Sequence, residues 1–477
     1  MASVSAAREA QPPRYREALR VVVIGGGWAG CAAAVSLARS GQRVTLFEAA
    51  PTLGGRARRV ALDGLPLDNG EHLLLGAYTE TLALAAAVRA PGEAPAFASA
   101  PLALRPFGTN ATQRLSLVTR PGPGSLGLLA ALAGAEGIGA LDRARVVAWF
   151  VAQKRAGWRC DSRTTVAELL ASQPPRLRDE LWYPLCIAAL NTPAPRASAQ
   201  IFLNVLRETF GAGPDATTLV TPCAGLGDAI PEASARWLAA HEHDVRPRTR
   251  ARIAAVSSDF VRVELTNDSM QADAVVIAVG PHQLAGAFTS ELASGDADVR
   301  QVLARVARLE YAPITTIYLG YHAPVTLPTG LLRLEQGPGQ WIFDRSDVLR
   351  RAGADAPPGV RALLSVVISA SDAFASLEHG ALAAIVDRQL RRLDPSLPRL
   401  MHSRVIDEKR ATYVALPGLE RPSAGRLAPR LYLAGDYTYA DFPATLEAAV
   451  RSGRIAADAL TRDYAATAAA RGSIRAP

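Results

Sequence analysis

Apolar side chains run unbroken from Val21 to Ile24 and then stop at glycine, giving VVVIGGGWAG over 21–30, after which small residues continue as CAAAVSLARSG. A short continuous apolar run predicts a buried strand, and the small-residue stretch predicts a closely packed helix starting near Trp28. Gly25, Gly27 and Gly30 stand between them at G-x-G-x-x-G spacing. Without Cβ atoms there, a pyrophosphate can approach main-chain N–H groups along the turn at Gly25, Gly27, Trp28 and Ala29, and the positive end of the helix points at the same place. QRVTLFEAA at 42–50 reads as the next strand. Near its end comes Glu48, 18 residues beyond Gly30, where a carboxylate can accept hydrogen bonds from ribose hydroxyls. The pattern predicts a dinucleotide site.

Strand-like patterning returns in the middle of the chain, as RARIAAV, FVRVELT and DAVVIAV, the last ending at Gly280-Pro281. It returns again at the end, where RLYLAGDYTYADFPATLEAAVRSGR reads as strand, Gly435-Asp436 turn, short loop and helix. Three dispersed segments that complete one site imply insertions between them. The expected organisation is a leader at 1–18, a discontinuous nucleotide-binding domain of 19–90, 215–285 and 405–465, a second domain of 91–214 and 286–404, and a tail at 466–477. The expected fold is α/β: a Rossmann-type domain with a parallel sheet, and an inserted α+β substrate domain with an antiparallel sheet.

Further residues narrow the dinucleotide to FAD. Gly54-Gly55-Arg56 can bring backbone amides and one guanidinium to a pyrophosphate, which a nicotinamide enzyme does not need. Asp68-Asn69-Gly70-Glu71-His72 makes a turn ahead of the apolar LLLGAY, which would pass close to an isoalloxazine ring. Asp436 is suited to phosphate or ribityl hydroxyls, and a helix opening at Ala444-Thr445-Leu446 would aim its positive end at the flavin. Ala251, within RARIAAV, completes the expected cofactor contacts.

Composition changes the picture only at the edges. Hydrophobic residues make up 49% of the 477-residue chain, enough for a substantial core. The net charge of +8 comes almost wholly from Arg, with Lys only at Lys154 and Lys409 and no dense basic run, so nucleic acid is not an expected partner. Arg246, Arg248, Arg250 and Arg252 alternate and would share one face of a strand, either as a plain exposed face or as a contact for anionic lipid. Cys31, Cys160, Cys186 and Cys223 show no metal-ligand spacing, and no metal is expected; reduced thiols fit a cytoplasmic protein. The first 20 residues have no apolar core of a secretory signal. The most apolar stretch, 125–141, carries Glu136 and is too short and too interrupted to span a bilayer. It continues into a segment where Trp149, Phe150 and Trp158 mix with Arg143, Arg145, Lys154 and Arg155. Two readings stay open for it, a helix packed in the substrate domain and a peripheral contact with the inner face of the cytoplasmic membrane.

The segments GGGWAG, FEAAPTLGGRARR, DNGEHLLLGAY and AGDYTYADFPATLEAAVRSGR together resemble the FAD-dependent amine oxidase and carotenoid desaturase superfamily. LWYPLCIAALNTPAPRASAQIFLNVLRETF, GPGQWIFDRSD and EKRATYVALPGLERP are most similar to its hydroxysqualene dehydroxylases, the squalene-associated FAD-dependent desaturases of bacterial hopanoid pathways. The resemblance covers nearly the whole chain after residue 20. It implies reductive removal of an allylic hydroxyl from a long isoprenoid, an apolar pocket formed partly by 181–210 and 311–345, and hand-over of substrate from the hydroxysqualene-forming enzyme. It also implies a proton donor near the leaving oxygen, for which His72, Asp441 and Tyr439 are the candidates. The family pattern has Gln where this chain has Glu71, and a negative charge facing the flavin would oppose its reduction. A carotenoid desaturase is the nearest rival. An amine oxidase fits less well, because no Lys lies between Lys154 and Lys409 to assist oxygen at the flavin. A non-catalytic FAD-binding scaffold is the third reading.

Overall fold

The computed structural model describes residues 18–108, 115–119, 126–211 and 215–473. Residues 1–17 of the expected leader and 474–477 of the expected tail lie outside the described residues.

The apolar run Val21–Ile24 falls in the centre of a six-stranded sheet, ordered Asp244–Arg246, Arg43–Phe47, Arg20–Ile24, Ala274–Ile277, Leu431–Leu433 and Gly425–Ala428. All pairings are parallel except the last. Strands buried on both faces need no polar alternation, and both faces of this one are covered. Val21 and Val23 pack with the helices Trp28–Arg39 and Leu446–Ser473, while Val22 and Ile24 face Ile253, Val261 and Val302 on the other side. The two helices approach closely because Gly453 has no side chain; a Cβ there would lie 2.1 Å from the Ala29 carbonyl oxygen.

A second, mostly antiparallel sheet of seven strands runs Leu400–Tyr413, Tyr311–Tyr321, Ala362–Ser369, Trp341–Asp344, Leu331–Arg333, Ala103–Pro106 and Leu117–Val118. Beside it stands a helical lobe, in which Ala140–Arg155, Tyr183–Leu190 and Ala199–Gly211 share one apolar core.

Four expectations are corrected. The boundary placed at 405 falls inside the strand Leu400–Tyr413, which pairs along Tyr311–Tyr321, so residues 405–413 belong to the second sheet. The helix Ala297–Val306, expected in the substrate domain, buries Val299, Val302 and Val306 against the parallel sheet. The helix Leu446–Ser473 continues through 466–473, read from sequence as tail. The four alternating arginines do not share a strand face: the strand ends at Arg246, which pairs with Asp244, and Arg248 turns into the left-handed region at φ 55°.

The open question over 143–158 is answered for its aromatic residues. Trp149 and Trp158 are buried, and Trp149 lies against Trp182 with ring centroids 4.6 Å apart. They are core, not lipid anchors. No helix among the described residues is long and apolar enough to cross a membrane.

Candidate active site

The two glycine turns meet at the carboxyl ends of the parallel strands. Gly54 N donates to Gly26 O at 2.8 Å, and Gly25 adopts φ +104°, where a Cβ would sit 2.8 Å from the Ala278 carbonyl oxygen. Gly27 and Gly55 oppose one another: a Cβ on Gly27 would come no nearer than 3.9 Å, to the Gly55 Cα, and one on Gly55 would meet the Gly27 Cα at 3.3 Å. A side chain at either position would fill the cradle. Gly30 serves differently: its missing Cβ would strike the Gly25 carbonyl oxygen at 1.8 Å, so it permits helix and turn to touch.

The cradle opens into a cavity of about 820 Å³. Every expected cofactor contact except Gly30 lines it: Gly25, Gly27, Trp28, Ala29, Glu48, Gly54, Gly55, Arg56, Gly70, Glu71, His72, Ala251, Gly435, Asp436, Thr445 and Leu446. The Glu48 carboxylate accepts from Gly26 N and Ala50 N, each at 2.7 Å, which leaves lone pairs for further donors. Arg56 bridges the two ends of the chain, donating from Nη2 to Asp436 Oδ1 at 2.6 Å and from Nη1 to Ala411 O at 2.7 Å. The last helix is capped at the cavity by Thr445, whose hydroxyl accepts from Ala448 N.

Beyond the turn at Gly70, the cavity wall becomes apolar. Leu73, Leu104, Ile314, Trp341, Phe343 and Val367 form one side, and Leu181, Leu185, Ala188, Phe202, Leu206 and Phe210 the other. Of 202–207 and 341–345, only uncharged residues reach the cavity; Glu208 lines it just beyond the first range.

The three candidates for proton transfer part company. His72 lines the cavity, where burial, reinforced by the Arg56 guanidinium, pushes its pKa down to about 4, so the imidazole is neutral at pH 7. Tyr439 and Asp441 are not among the lining residues. The Tyr439 hydroxyl accepts from Arg451 Nη1 at 3.1 Å, and Asp441 is exposed, its backbone oxygen accepting from Asn204 Nδ2 at 2.9 Å.

Sequence reading missed the partners that hold these residues. Glu71 lies 3.4 Å from Arg345 Nη1 and accepts from Ser365 Oγ at 2.9 Å. Asn69 Nδ2 donates to Glu408 Oε2 at 3.0 Å. Asn191, at φ 48°, ends the helix Tyr183–Leu190 and ties it to the sheet through Thr412 Oγ1 and Ala370 N. The segments ALNTP, GQWIFDR and EKRAT contain Asn191, Arg345 and Glu408 and were the available signal, but nothing in their spacing names a partner. The cysteines are all free, and no cluster able to hold a metal ion occurs among the described residues.

A cradle open at Gly27 and Gly55, a carboxylate at the second strand and a guanidinium between the turns fit the pyrophosphate, ribose and ring of a flavin dinucleotide. The family of flavin containing amine oxidoreductases matches residues 28–461. The chain belongs to this family. Like other flavin oxidoreductases of that kind, it is an FAD-dependent enzyme. It is 31% identical over 463 residues to a hydroxysqualene dehydroxylase of Rhodopseudomonas palustris, a match covering 92% of this chain and 97% of the relative. A zeta-carotene desaturase of Synechocystis is 24% identical over 507 residues, covering 94% and 98%. Among solved structures, an oxidoreductase from Methanosarcina mazei shares the fold at a TM-score of 0.68 and 17% identity, over 93% of this chain and all of that one.

Proposed function

We propose that this flavin oxidoreductase removes the hydroxyl of hydroxysqualene reductively to give squalene. The observation that carries the reading is the predominantly apolar wall of leucine, phenylalanine and tryptophan side chains, broken at Glu208, that begins where the flavin loop ends. A polar amine would leave such a wall unsolvated, whereas a long isoprenoid buries its whole length there. The likeness to the Rhodopseudomonas enzyme over nearly all of both chains supports the same substrate.

The reaction consumes two electrons and two protons: the allylic C–O bond breaks, a C–H bond forms in its place, and the oxygen leaves as water. Reduced FAD, when bound, supplies the hydride. The chain's own contribution is to hold the isoprenoid, to keep water from the reacting carbon and to orient the departing oxygen. Of the three candidates His72 is the one proposed for that last task, as a neutral imidazole hydrogen-bonding the oxygen. Its depressed pKa argues against a standing imidazolium acid at neutral pH.

The deciding experiment is anaerobic. The purified enzyme is reduced, hydroxysqualene is added, and flavin absorbance is followed while the lipid is extracted. Reoxidation with squalene formed supports the proposal. The second reading, a carotenoid desaturase, rests on the match to the Synechocystis enzyme; it requires instead that the oxidised protein be bleached by a carotene precursor. An amine that bleaches it would sink both.

For an insoluble substrate we also propose peripheral attachment to the cytoplasmic membrane, with hand-over from the enzyme that forms hydroxysqualene. The outer face of Ala140–Arg155 supports it, with Leu141 65% and Val151 41% exposed beside exposed Arg145 and Arg155. Sedimentation with anionic vesicles tests it. Binding that survives Leu141→Glu with Val151→Glu would exclude this face.

A further inference from the structure

Glu71 is a glutamate in an awkward place. It lines the cavity between Gly70 and His72, so it is part of the loop read as passing the flavin ring. A buried negative charge there opposes a cofactor that becomes more electron-rich on reduction. The structure shows where that charge goes. Arg345, on the far side of the loop, is 9% exposed and Glu71 10% exposed, and Arg345 Nη1 stands 3.4 Å from Glu71 Oε1. Ser365 Oγ donates to the other carboxylate oxygen at 2.9 Å.

Arg345 is itself fixed. Its Nη2 meets Asp68 Oδ2 at 3.2 Å, and its backbone N donates to Leu363 O at 2.7 Å. Asp68 in turn accepts from Leu226 N at 3.0 Å, while Tyr318 donates to the Asp68 carbonyl oxygen at 3.1 Å. The guanidinium thus lies between the first and fourth residues of the loop Asp68–Glu71 and pins both carboxylates from the side of the second sheet. A fork that engages two carboxylates at once suits arginine and not lysine.

We propose that Arg345 is a positioning residue for flavin reduction: it neutralises Glu71 and holds its carboxylate against Ser365, so that a glutamate at this place does not lower the flavin potential. The two positions are then interdependent. A neutral residue at 71 leaves the arginine only Asp68 to balance, and an arginine lost from 345 makes the glutamate harmful. The inference rests on FAD occupying this cavity and is independent of which isoprenoid is turned over.

The test is the two-electron midpoint potential of the purified, FAD-loaded protein, measured without substrate for wild type, Arg345→Gln, Glu71→Gln and the double variant. Arg345→Gln alone is expected to make flavin reduction about tenfold less favourable, which is about 30 mV for a two-electron couple. In the Glu71→Gln background the same substitution, which then frees only Asp68, is expected to change the potential by a smaller amount. An unchanged potential in Arg345→Gln, or an equal drop in both backgrounds, overturns the proposal. If Arg345→Gln does not fold, Ser365→Ala loosens the same carboxylate with the arginine in place and must lower the potential in the same direction; no shift there overturns it as well. A protein that shows these potentials yet fails to convert hydroxysqualene would refute the substrate reading alone.

Discussion

Gly27 faces open cavity, and in the proposed cofactor site that missing side chain would keep the pyrophosphate's place clear. Gly27→Glu would put a carboxylate into it, so the purified variant is expected to be colourless; a yellow protein would place the cofactor elsewhere. Glu48→Ala removes the acceptor for two backbone amides and the proposed acceptor for the ribose, and is expected to weaken FAD binding by about 1–3 kcal/mol in a titration of the apoprotein. His72 provides a pH signature. Its folded pKa of about 4 lies below the ordinary 6.5, so the unfolded chain binds more protons across that interval and stability rises with pH from about 4 to 6.5. Melting temperatures of His72→Asn should rise less over the same window than those of wild type. At this scale the glycines, Glu48 and Arg56 were legible because each is the residue type that a backbone approach or a phosphate demands. Arg345 was not, because its partners Asp68 and Glu71 lie far away in sequence and a buried ion pair leaves no local pattern.

Elements were legible where their chemistry is local. The strand Arg20–Ile24, the helix from Trp28 and the capped start at Thr445 all follow from apolar runs, glycine stops and a hydroxyl at a helix end. The helix Tyr183–Leu190 shows what locality misses. It ends at Asn191 in a left-handed turn whose amide reaches Thr412 in one strand of the second sheet and Ala370 N just past the end of another, fastening the apolar wall to the flavin side. Asn191→Ala would lose these bonds and force an alanine into a conformation costly to it, at about 1–3 kcal/mol in chemical denaturation. Asn191→Gly is expected to recover the turn but not the bonds, falling between. The alternating arginines misled for a related reason: Pro247 and the turn at Arg248 end the strand before the alternation can make a face.

At the scale of the molecule, both halves of the proposed chemistry share one cavity, lined by the glycine turns at one part and by apolar side chains at the other. Filling only its apolar part should separate them: Ala188→Trp is expected to retain FAD and its spectrum while losing turnover of a long isoprenoid, and full activity would move the substrate path elsewhere. The interleaving of the two sheets is why domain boundaries could not be read to the residue. A strand as long as Leu400–Tyr413 carries both the outer register of one sheet and, at Glu408 and Ala411, contacts to the flavin loop and Arg56. Sequence composition does not change where a strand passes from one duty to another.

The bridge from Arg56 to Asp436 joins positions 380 residues apart, and it has a meaning in time as well as in space. At about 5–20 residues per second of synthesis, the glycine turns leave the ribosome roughly 20–80 s before the residues that close the site behind them. A nascent chain that stops short of Asp436 therefore has the glycine turns of the cradle but lacks the carboxylate that answers Arg56.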